Sequence, residues 1–210
     1  MKFALAQINT TTEVADNLEK VRTYTRDAAE AGARFVVFPE ATMSAFGSGL
    51  RTIAEEHMES WRSALSELAV ETGITVVVGE FATTADKVIN LLAVYSPSGE
   101  RSDYAKIHLY DAFGFKESDT VEAGEEPVLF TVDGEDIGLA LCYDIRFPKL
   151  FAELSRRGAR LTVVAASWGA GPRKAEQWEI LARARALDSN MFIAALGQAD
   201  PEVTGVAVPK

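Results

Sequence analysis

Short apolar runs that alternate with helical segments constrain the fold of this chain more than any other feature. Residues 3–8 form the first such run, which predicts a buried strand. Residues 16–32 carry apolar side chains at helical spacing, and Asp16 is the expected N-cap of this helix. Residues 35–38 form a second apolar run, which Pro39 stops. The order strand, helix, strand is typical of a βαβ unit and predicts an α/β fold.

The rest of the chain continues this alternation and adds two hairpins. Turn residues at 96–99 and an Asp-Gly pair at 133–134 each separate two short apolar runs, which predicts a hairpin at both places. Residues 111–126 are expected to form a long acidic loop. Further helices are predicted at residues 58–72, 148–157 and 176–188, and further strands at residues 75–79, 161–165 and 192–195. No linker or repeat interrupts this order, so we expect one domain over residues 1–210, with a mixed sheet or two sheets.

Charge and composition exclude several classes of protein. The formal net charge is −10, and an acidic chain repels phosphate backbones, so we expect no nucleic-acid partner. No apolar run reaches the roughly 20 residues that span a bilayer, and the N-terminus meets polar residues too early for a secretory signal. The chain contains one cysteine, which cannot form an internal disulfide. We therefore expect a cytoplasmic protein that does not enter the membrane.

Cys142 is the first candidate for chemistry. It follows the apolar run at 137–141 and precedes the helix predicted from Pro148, so it lies at the carboxyl end of a predicted strand. In open α/β sheets this position faces the crevice where ligands bind. A thiol there can act as a nucleophile. The alternative is a buried structural cysteine, which packs as a small inert hydrophobe.

Glu40 and Lys106 also follow predicted strands. A carboxylate at the end of an apolar strand is partly desolvated, which raises its pKa toward the range of a general base. A lysine at such a position can stabilise an oxyanion or lower the pKa of a thiol. Taken alone, each residue is better explained as an ordinary solvated side chain.

Other catalytic chemistries lack their motifs. There is no Gly-x-Ser-x-Gly segment and no phosphate-binding Gly-x4-Gly-Lys-Ser/Thr loop. The two histidines, His57 and His108, and the one cysteine do not have the spacing of a zinc site. We therefore expect neither a metal nor an organic cofactor.

Taken together, the motifs around these residues resemble the nitrilase superfamily of carbon–nitrogen hydrolases. Phe38-Pro39-Glu40, Lys-Ile-His-Leu-Tyr-Asp at 106–111 and Cys-Tyr-Asp-Ile-Arg-Phe-Pro at 142–148 occur in the family's order. Phe-Lys-Glu-Ser-Asp at 115–119 and the helical segment 178–190 also match. The two strings at 106–111 and 142–148 are most similar to the omega-amidase and deaminated-glutathione-amidase branch. This ordered set favours Cys142 as the nucleophile over the structural alternative.

The resemblance implies a four-layer αββα sandwich with two six-stranded sheets, which assembles as a homodimer or a higher homo-oligomer through its helices. It also implies a mechanism in which Glu40 is the general base and Cys142 attacks an amide carbonyl. Lys106 and the backbone N–H of Tyr143 would hold the oxyanion. Glu117 would orient Lys106 and the substrate. The family continues past the position of Lys210, so we expect C-terminal strands of the second sheet to be missing here, with activity and dimerisation affected.

Two further residues are candidates for substrate binding. Arg146 follows the nucleophile by one turn, and its guanidinium suits a substrate carboxylate. Its alternative is a structural ion pair with Asp144 or another acid. Trp168 follows the strand predicted at 161–165 and would line the pocket, or else pack at the sheet edge.

These observations leave several functions open. The first is a thiol amidohydrolase acting on a small linear amide, which can bear a carboxylate. An N-carbamoyl amine or amino-acid hydrolase would use the same three residues and release carbon dioxide as well. A non-catalytic nitrilase-like scaffold and a single-cysteine redox protein are the alternatives from other classes.

Overall fold

The computed structural model describes residues 1–47, 49–112 and 114–200. Four α-helices lie in this part of the chain: α1 (Val14–Glu30), α2 (Leu50–Thr72), α3 (Pro148–Arg156) and α4 (Lys174–Ser189). The strands, in chain order, are β1 (Ala4–Leu5), β2 (Phe35–Val37), β3 (Thr75–Thr83), β4 (Val88–Tyr95), β5 (Arg101–Ala105), β6 (Asp111–Ala112), β7 (Phe115–Lys116), β8 (Val121–Glu122), β9 (Leu129–Val132), β10 (Glu135–Leu141), β11 (Leu161–Ala165) and β12 (Phe192–Leu196).

Two sheets form the centre of the molecule. The first sheet has six strands. Five of them pair in the order β1-β2-β3-β4-β5, and the sixth, β8, also pairs with β4. Its strands β1, β2 and β3 are parallel, whereas β4 is antiparallel to both β3 and β5. The second sheet has the order β12-β11-β10-β9, with β9 antiparallel to β10. A separate two-stranded ribbon pairs β6 with β7.

Alternating side chains divide the molecule into four layers. Val36, Val76 and Val78 on one face of the first sheet pack against Trp61 and other apolar side chains of α1 and α2. The opposite face, including Val37 and Val77, contributes to a core shared with the second sheet and with α3. Because strand side chains alternate between faces, each strand serves both interfaces. The fold is therefore the αββα sandwich that the family resemblance implied.

The sequence misplaced several local features. Asp16 is not the N-cap of α1, because the helix begins at Val14 and Glu13 occupies the cap position without a side-chain cap bond. Helix α2 begins at Leu50, well before the predicted start at residue 58. The expected loop 111–126 contains three short strands and a turn of 3-10 helix. The second sheet has four strands in the described part of the chain; the resemblance implies six, with C-terminal strands expected to be missing here.

The topology brings several strand ends to one edge of the sandwich. Strand β5 is antiparallel to β4, which is antiparallel to β3, so β5 runs in the same direction as β2. Glu40 follows β2 and Lys106 follows β5, and both therefore lie at the same end of the first sheet. Cys142 directly follows β10 in the second sheet, and Ser167 follows the parallel strand β11.

Candidate active site

A cavity of about 470 Å³ opens at this edge of the sandwich. Its size is within the range of pockets that hold small molecules. All seven residues that the sequence singled out lie on its wall: Glu40, Lys106, Glu117, Cys142, Tyr143, Arg146 and Trp168. Apolar side chains, among them Phe46, Leu50 and Val121, form much of the remaining wall.

Glu40 is a buried carboxylate whose two oxygens are both engaged. Its Oε1 accepts hydrogen bonds from Lys106 Nζ at 2.9 Å and from Asn90 Nδ2 at 2.8 Å. Its Oε2 accepts from the backbone N–H of Ser167 at 2.8 Å. Gly79 makes room for this segment, because a Cβ there would lie 2.8 Å from the Cα of Glu40. These contacts fix the carboxylate between the two sheets.

Lys106 bridges Glu40 to a second carboxylate. Its Nζ lies 3.1 and 3.0 Å from the two oxygens of Glu117. Glu117 also accepts a hydrogen bond from the backbone N–H of Tyr110 at 2.7 Å. Lys106 is 2% exposed. Burial works against its charge, but the carboxylates of Glu40 and Glu117 outweigh burial and raise the pKa of Lys106, so the residue is an ammonium ion.

Cys142 begins a turn of 3-10 helix (Cys142–Arg146) directly after β10. Its φ of 44° is in the left-handed region, which is uncommon for a residue with a side chain. Strained backbone of this kind occurs often at functional sites. The turn presents Cys142 to the same cavity as Glu40 and Lys106.

The electrostatics of the cavity keep the thiol protonated. Burial raises the pKa of Cys142, and the negative charge of Glu40 raises that pKa further. Lys106 lowers the pKa of the thiol, as the sequence suggested, but burial and the carboxylates Glu40 and Glu117 outweigh it. The net shift of the Cys142 pKa is upward.

Arg146 and Trp168 form one side of the cavity. The guanidinium of Arg146 lies 5.5 Å from the ring centre of Trp168 and 5.9 Å from that of Tyr143. It donates a hydrogen bond to Gln177 at 2.9 Å and, in the described part of the chain, forms no ion pair. The alternative of a structural ion pair with Asp144 is therefore wrong, since the Asp144 oxygens accept hydrogen bonds elsewhere.

Three residues of the site were not predicted from the sequence. Asn90 lies within β4, and Ser167 contributes a backbone N–H, so neither shows a signal of its own. Lys174 begins α4, lines the cavity, and has its ammonium 5.6 Å from the Trp168 ring centre. Burial and the positive charge of Arg146 lower the pKa of Lys174. Two cationic side chains therefore share one wall of the cavity.

The site shows no arrangement for a metal ion. Across residues 1–47, 49–112 and 114–200, no group of three or more His, Cys, Asp or Glu side chains is disposed to hold one. In the same residues, no helix has the length and apolar character needed to cross a membrane.

Comparison with models of protein families shows which family this chain belongs to. The model of the carbon–nitrogen hydrolases matches residues 2–206. The chain belongs to the carbon–nitrogen hydrolase family. This confirms the resemblance to the nitrilase superfamily that the motifs indicated.

Several curated carbon–nitrogen hydrolase relatives are similar over most of the chain. A protein of Mycobacterium tuberculosis that is named a hydrolase is 54% identical over 205 residues, which are 96% of this chain and 73% of that protein. Omega-amidase from Danio rerio is 32% identical over 211 residues, with 96% of this chain and 75% of that protein covered. Deaminated glutathione amidase from Escherichia coli is 32% identical over 206 residues, with 94% and 78% covered.

Solved structures share the fold of this carbon–nitrogen hydrolase. An amidase from Nesterenkonia sp. has a TM-score of 0.86 at 24% identity, over 97% of this chain and 78% of that chain. A further structure of the amidase from Nesterenkonia sp. AN1 has a TM-score of 0.84 and shows Michael addition of acrylamide at the active-site cysteine of that enzyme.

The charge balance around Cys142 predicts opposite shifts for two variants. Glu40→Gln removes a negative charge that raises the thiol pKa, so the pKa falls; Lys106→Met removes a positive charge that lowers it, so the pKa rises. The pH dependence of iodoacetamide labelling measures both, since the chain has no other thiol. Wild type should show a midpoint above the usual thiol value of about 8.5. A midpoint for Glu40→Gln equal to or above that of wild type would contradict this account.

Proposed function

We propose that this protein is a thiol amidohydrolase that cleaves a small linear amide to a carboxylic acid and ammonia. One observation carries the proposal: the Lys106 ammonium bridges two buried carboxylates beside the only thiol of the chain, on the wall of one cavity. Membership of the carbon–nitrogen hydrolases supports it, as do relatives named omega-amidase and deaminated glutathione amidase.

In the proposed first step, Cys142 forms a bond to the amide carbonyl carbon. Its thiol proton moves to Glu40, which lies on the wall of the same cavity. The carbonyl oxygen becomes an oxyanion. An ammonium has three N–H donors. We propose that Lys106 shares one N–H between the two oxygens of Glu117 and directs one to Glu40, so that the third can bind this oxyanion. The backbone N–H of Tyr143 is the second proposed donor.

In the second step, the carbon–nitrogen bond breaks and Glu40 returns the proton to the departing nitrogen, which leaves as ammonia. The acyl group remains on Cys142 as a thioester. Glu40 then takes a proton from water, whose oxygen attacks the thioester carbon. The acid leaves and Cys142 recovers its proton. Glu117 does not exchange protons in this scheme; it holds Lys106 in place.

We further propose that the substrate bears a carboxylate. Arg146 and Lys174 place two positive charges around Trp168, while Glu40 and Glu117 are occupied by Lys106. A guanidinium binds a carboxylate through two parallel hydrogen bonds. Phe46 and Leu50, which also line the cavity, suit the apolar part of a short linear amide.

The remaining expectations from the sequence stand as parts of the same proposal. Residues 1–210 would belong to one catalytic domain. Its partner would be a small-molecule amide and not a nucleic acid or a membrane, and its location would be cytoplasmic.

We also propose that a second copy of the chain covers the outer face of α4, as in a homodimer or a higher homo-oligomer. Ile180 and Leu187 lie seven residues apart on this face and are 57% and 84% exposed.

Amide turnover tests the proposed function directly. Ammonia release from a panel of small amides should be lost in Cys142→Ala and reduced by about 10²–10³ in Lys106→Ala, because an oxyanion donor is removed. Lys149→Ala, at an exposed lysine of α3, is the matched control and should retain wild-type activity. Carbon dioxide released with the ammonia would instead identify a carbamoyl hydrolase. Ammonia release by Cys142→Ala, or none from wild type with any amide, would overturn the proposal and favour a scaffold.

The carboxylate preference has its own test. Arg146→Leu should raise KM for a carboxylate-bearing amide by about 10- to 100-fold, since a hydrogen bond to a charged group contributes about 1.5–3 kcal/mol. KM for a neutral amide of equal length should change little. Arg183→Leu, at an exposed arginine of α4, is the control. An equal rise for both amides would show that Arg146 does not bind the carboxylate.

Self-association through α4 can be measured by sedimentation velocity. Leu187→Glu places a charge in the proposed contact and should shift the protein to monomers. Val70→Glu alters a similarly exposed apolar residue on α2 and should leave the assembly intact. A wild-type monomer, or an assembly that survives Leu187→Glu, would contradict this contact.

A further inference from the structure

Asp144 is a fully buried carboxylate that the proposed reaction does not use. Its oxygens accept four hydrogen bonds. Oδ1 accepts from the backbone N–H of His108 at 3.0 Å and lies 2.8 Å from His108 Nδ1. Oδ2 accepts from the hydroxyl of Tyr104 at 2.7 Å and from the backbone N–H of Leu141 at 2.9 Å. Because the acceptor is a carboxylate, Nδ1 of His108 is the donor in its contact.

These four bonds connect the two segments that carry the proposed catalytic residues. Tyr104 and His108 lie two residues before and two residues after Lys106. Leu141 directly precedes Cys142, and Asp144 follows it by two residues. The first segment leaves the first sheet and the second segment leaves the second sheet. One carboxylate therefore joins both flanks of the lysine to both flanks of the nucleophile.

Two more observations make this joint rigid. The His108 ring stacks on Phe147, with ring centres 3.7 Å apart and planes at 9°. Phe147 directly follows the 3-10 helix that begins at Cys142, so the stack holds the far end of that turn. Cys142 itself has a left-handed backbone that needs support from its surroundings. The bond from the Leu141 N–H to Asp144 supplies such support at the residue before it.

We propose that Asp144 and His108 are positioning residues, which clamp the Lys106 segment to the Cys142 segment and so set the separation between the oxyanion donor and the nucleophile. The effect that this inference predicts on amide turnover rests on the proposed function. The clamp itself rests on the contacts of Asp144 and is testable without a substrate. Neither residue touches the reacting atoms; both act through Lys106 and Cys142.

A carboxylate suits position 144 because each of its oxygens accepts two hydrogen bonds, one of them from a backbone N–H. In Asp144→Asn, one oxygen becomes an amide NH₂, and in either orientation this donor faces a backbone N–H, of His108 or of Leu141, which cannot accept. The variant therefore opens the clamp with almost no change in volume. His108→Leu removes a single bond and the ring stack, at a residue whose side chain is 26% exposed, and is less disruptive to folding.

Kinetics of the variants separate positioning from general stability. We expect His108→Leu and Asp144→Asn to lower kcat by up to about 10²-fold, the effect of a misplacement near 1 Å, with a much smaller change in KM. His108→Asn can return an N–H donor toward Asp144 and should recover part of the lost kcat. His57→Leu makes the same change at the other histidine, which is exposed on α2, and should match wild type. Thermal unfolding of each variant shows whether the fold is retained.

A double-mutant cycle on Cys142 labelling tests the clamp independently of any substrate. The rate of iodoacetamide labelling is measured for wild type, Asp144→Asn, Lys106→Met and the double variant, and again with His108→Leu in place of Asp144→Asn. If Asp144 acts through the Lys106–Cys142 geometry, its effect shrinks when Lys106 is absent, by more than the roughly twofold scatter of independent sites. Additive effects in both cycles, or His108→Leu within twofold of wild type in labelling and kcat, would overturn the clamp. Non-additive labelling without any amide turnover would uphold the clamp and reject only the proposed function.

Discussion

The ammonium of Lys106 is the interaction on which the rest of the site depends. Two carboxylates, Glu40 and Glu117, are buried within hydrogen-bond distance of it. Carboxylates removed from water carry a desolvation cost that is offset only by a partner charge and by further hydrogen bonds. Asn90, Ser167 and Tyr110 supply those further bonds. Without the ammonium, two like charges would face each other in the same low-dielectric region.

The same arrangement decides the state of the thiol. Cysteine hydrolases that rely on a resting thiolate place the sulfur among positive groups. Here burial raises the pKa of Cys142, and the negative charge of Glu40 raises it further against the opposing effect of Lys106. In the proposed mechanism the proton therefore moves to Glu40 as the carbon–sulfur bond forms. In this account Lys106 stabilises the oxyanion that develops, and does not prepare a thiolate in advance.

The sequence predicted this site from its strand ends and not from its individual residues. Glu40, Lys106 and Cys142 each follow a predicted strand. The pairing directions in the first sheet put the ends of β2 and β5 at one edge, and the end of β10 in the second sheet opens into the same cavity. The apolar alternation also predicted the layers, because it is set by local chemistry. The start of α2 at Leu50 was missed although Leu50, Ile53 and Ala54 continue the helical spacing. Asp16 has a capping residue type, but the helix had already begun at Val14.

Long-range contacts could not be predicted from the sequence, for a different physical reason. Ser167 contributes a backbone N–H, which any residue could supply, and Asn90 is one polar residue within an apolar strand. The net shift of the Cys142 pKa depends on burial and on three charges brought together from distant segments, so its sign could not be read from the position of Lys106 alone. The role of Asp144 likewise requires knowing that residues 104–108 and 141–147 meet.

The central claim is that Cys142 becomes acylated and that Glu40 activates the water that hydrolyses the thioester. The most direct measurement is the intact mass of the protein after addition of an activated ester of a small acid, whose leaving group needs no proton. Glu40→Gln should still be acylated but should lack the base that activates water, so a single acyl group should accumulate on it and not on wild type. Cys142→Ala should gain no mass. An acyl group on Cys142→Ala, or rapid turnover without accumulation in Glu40→Gln, would contradict the account.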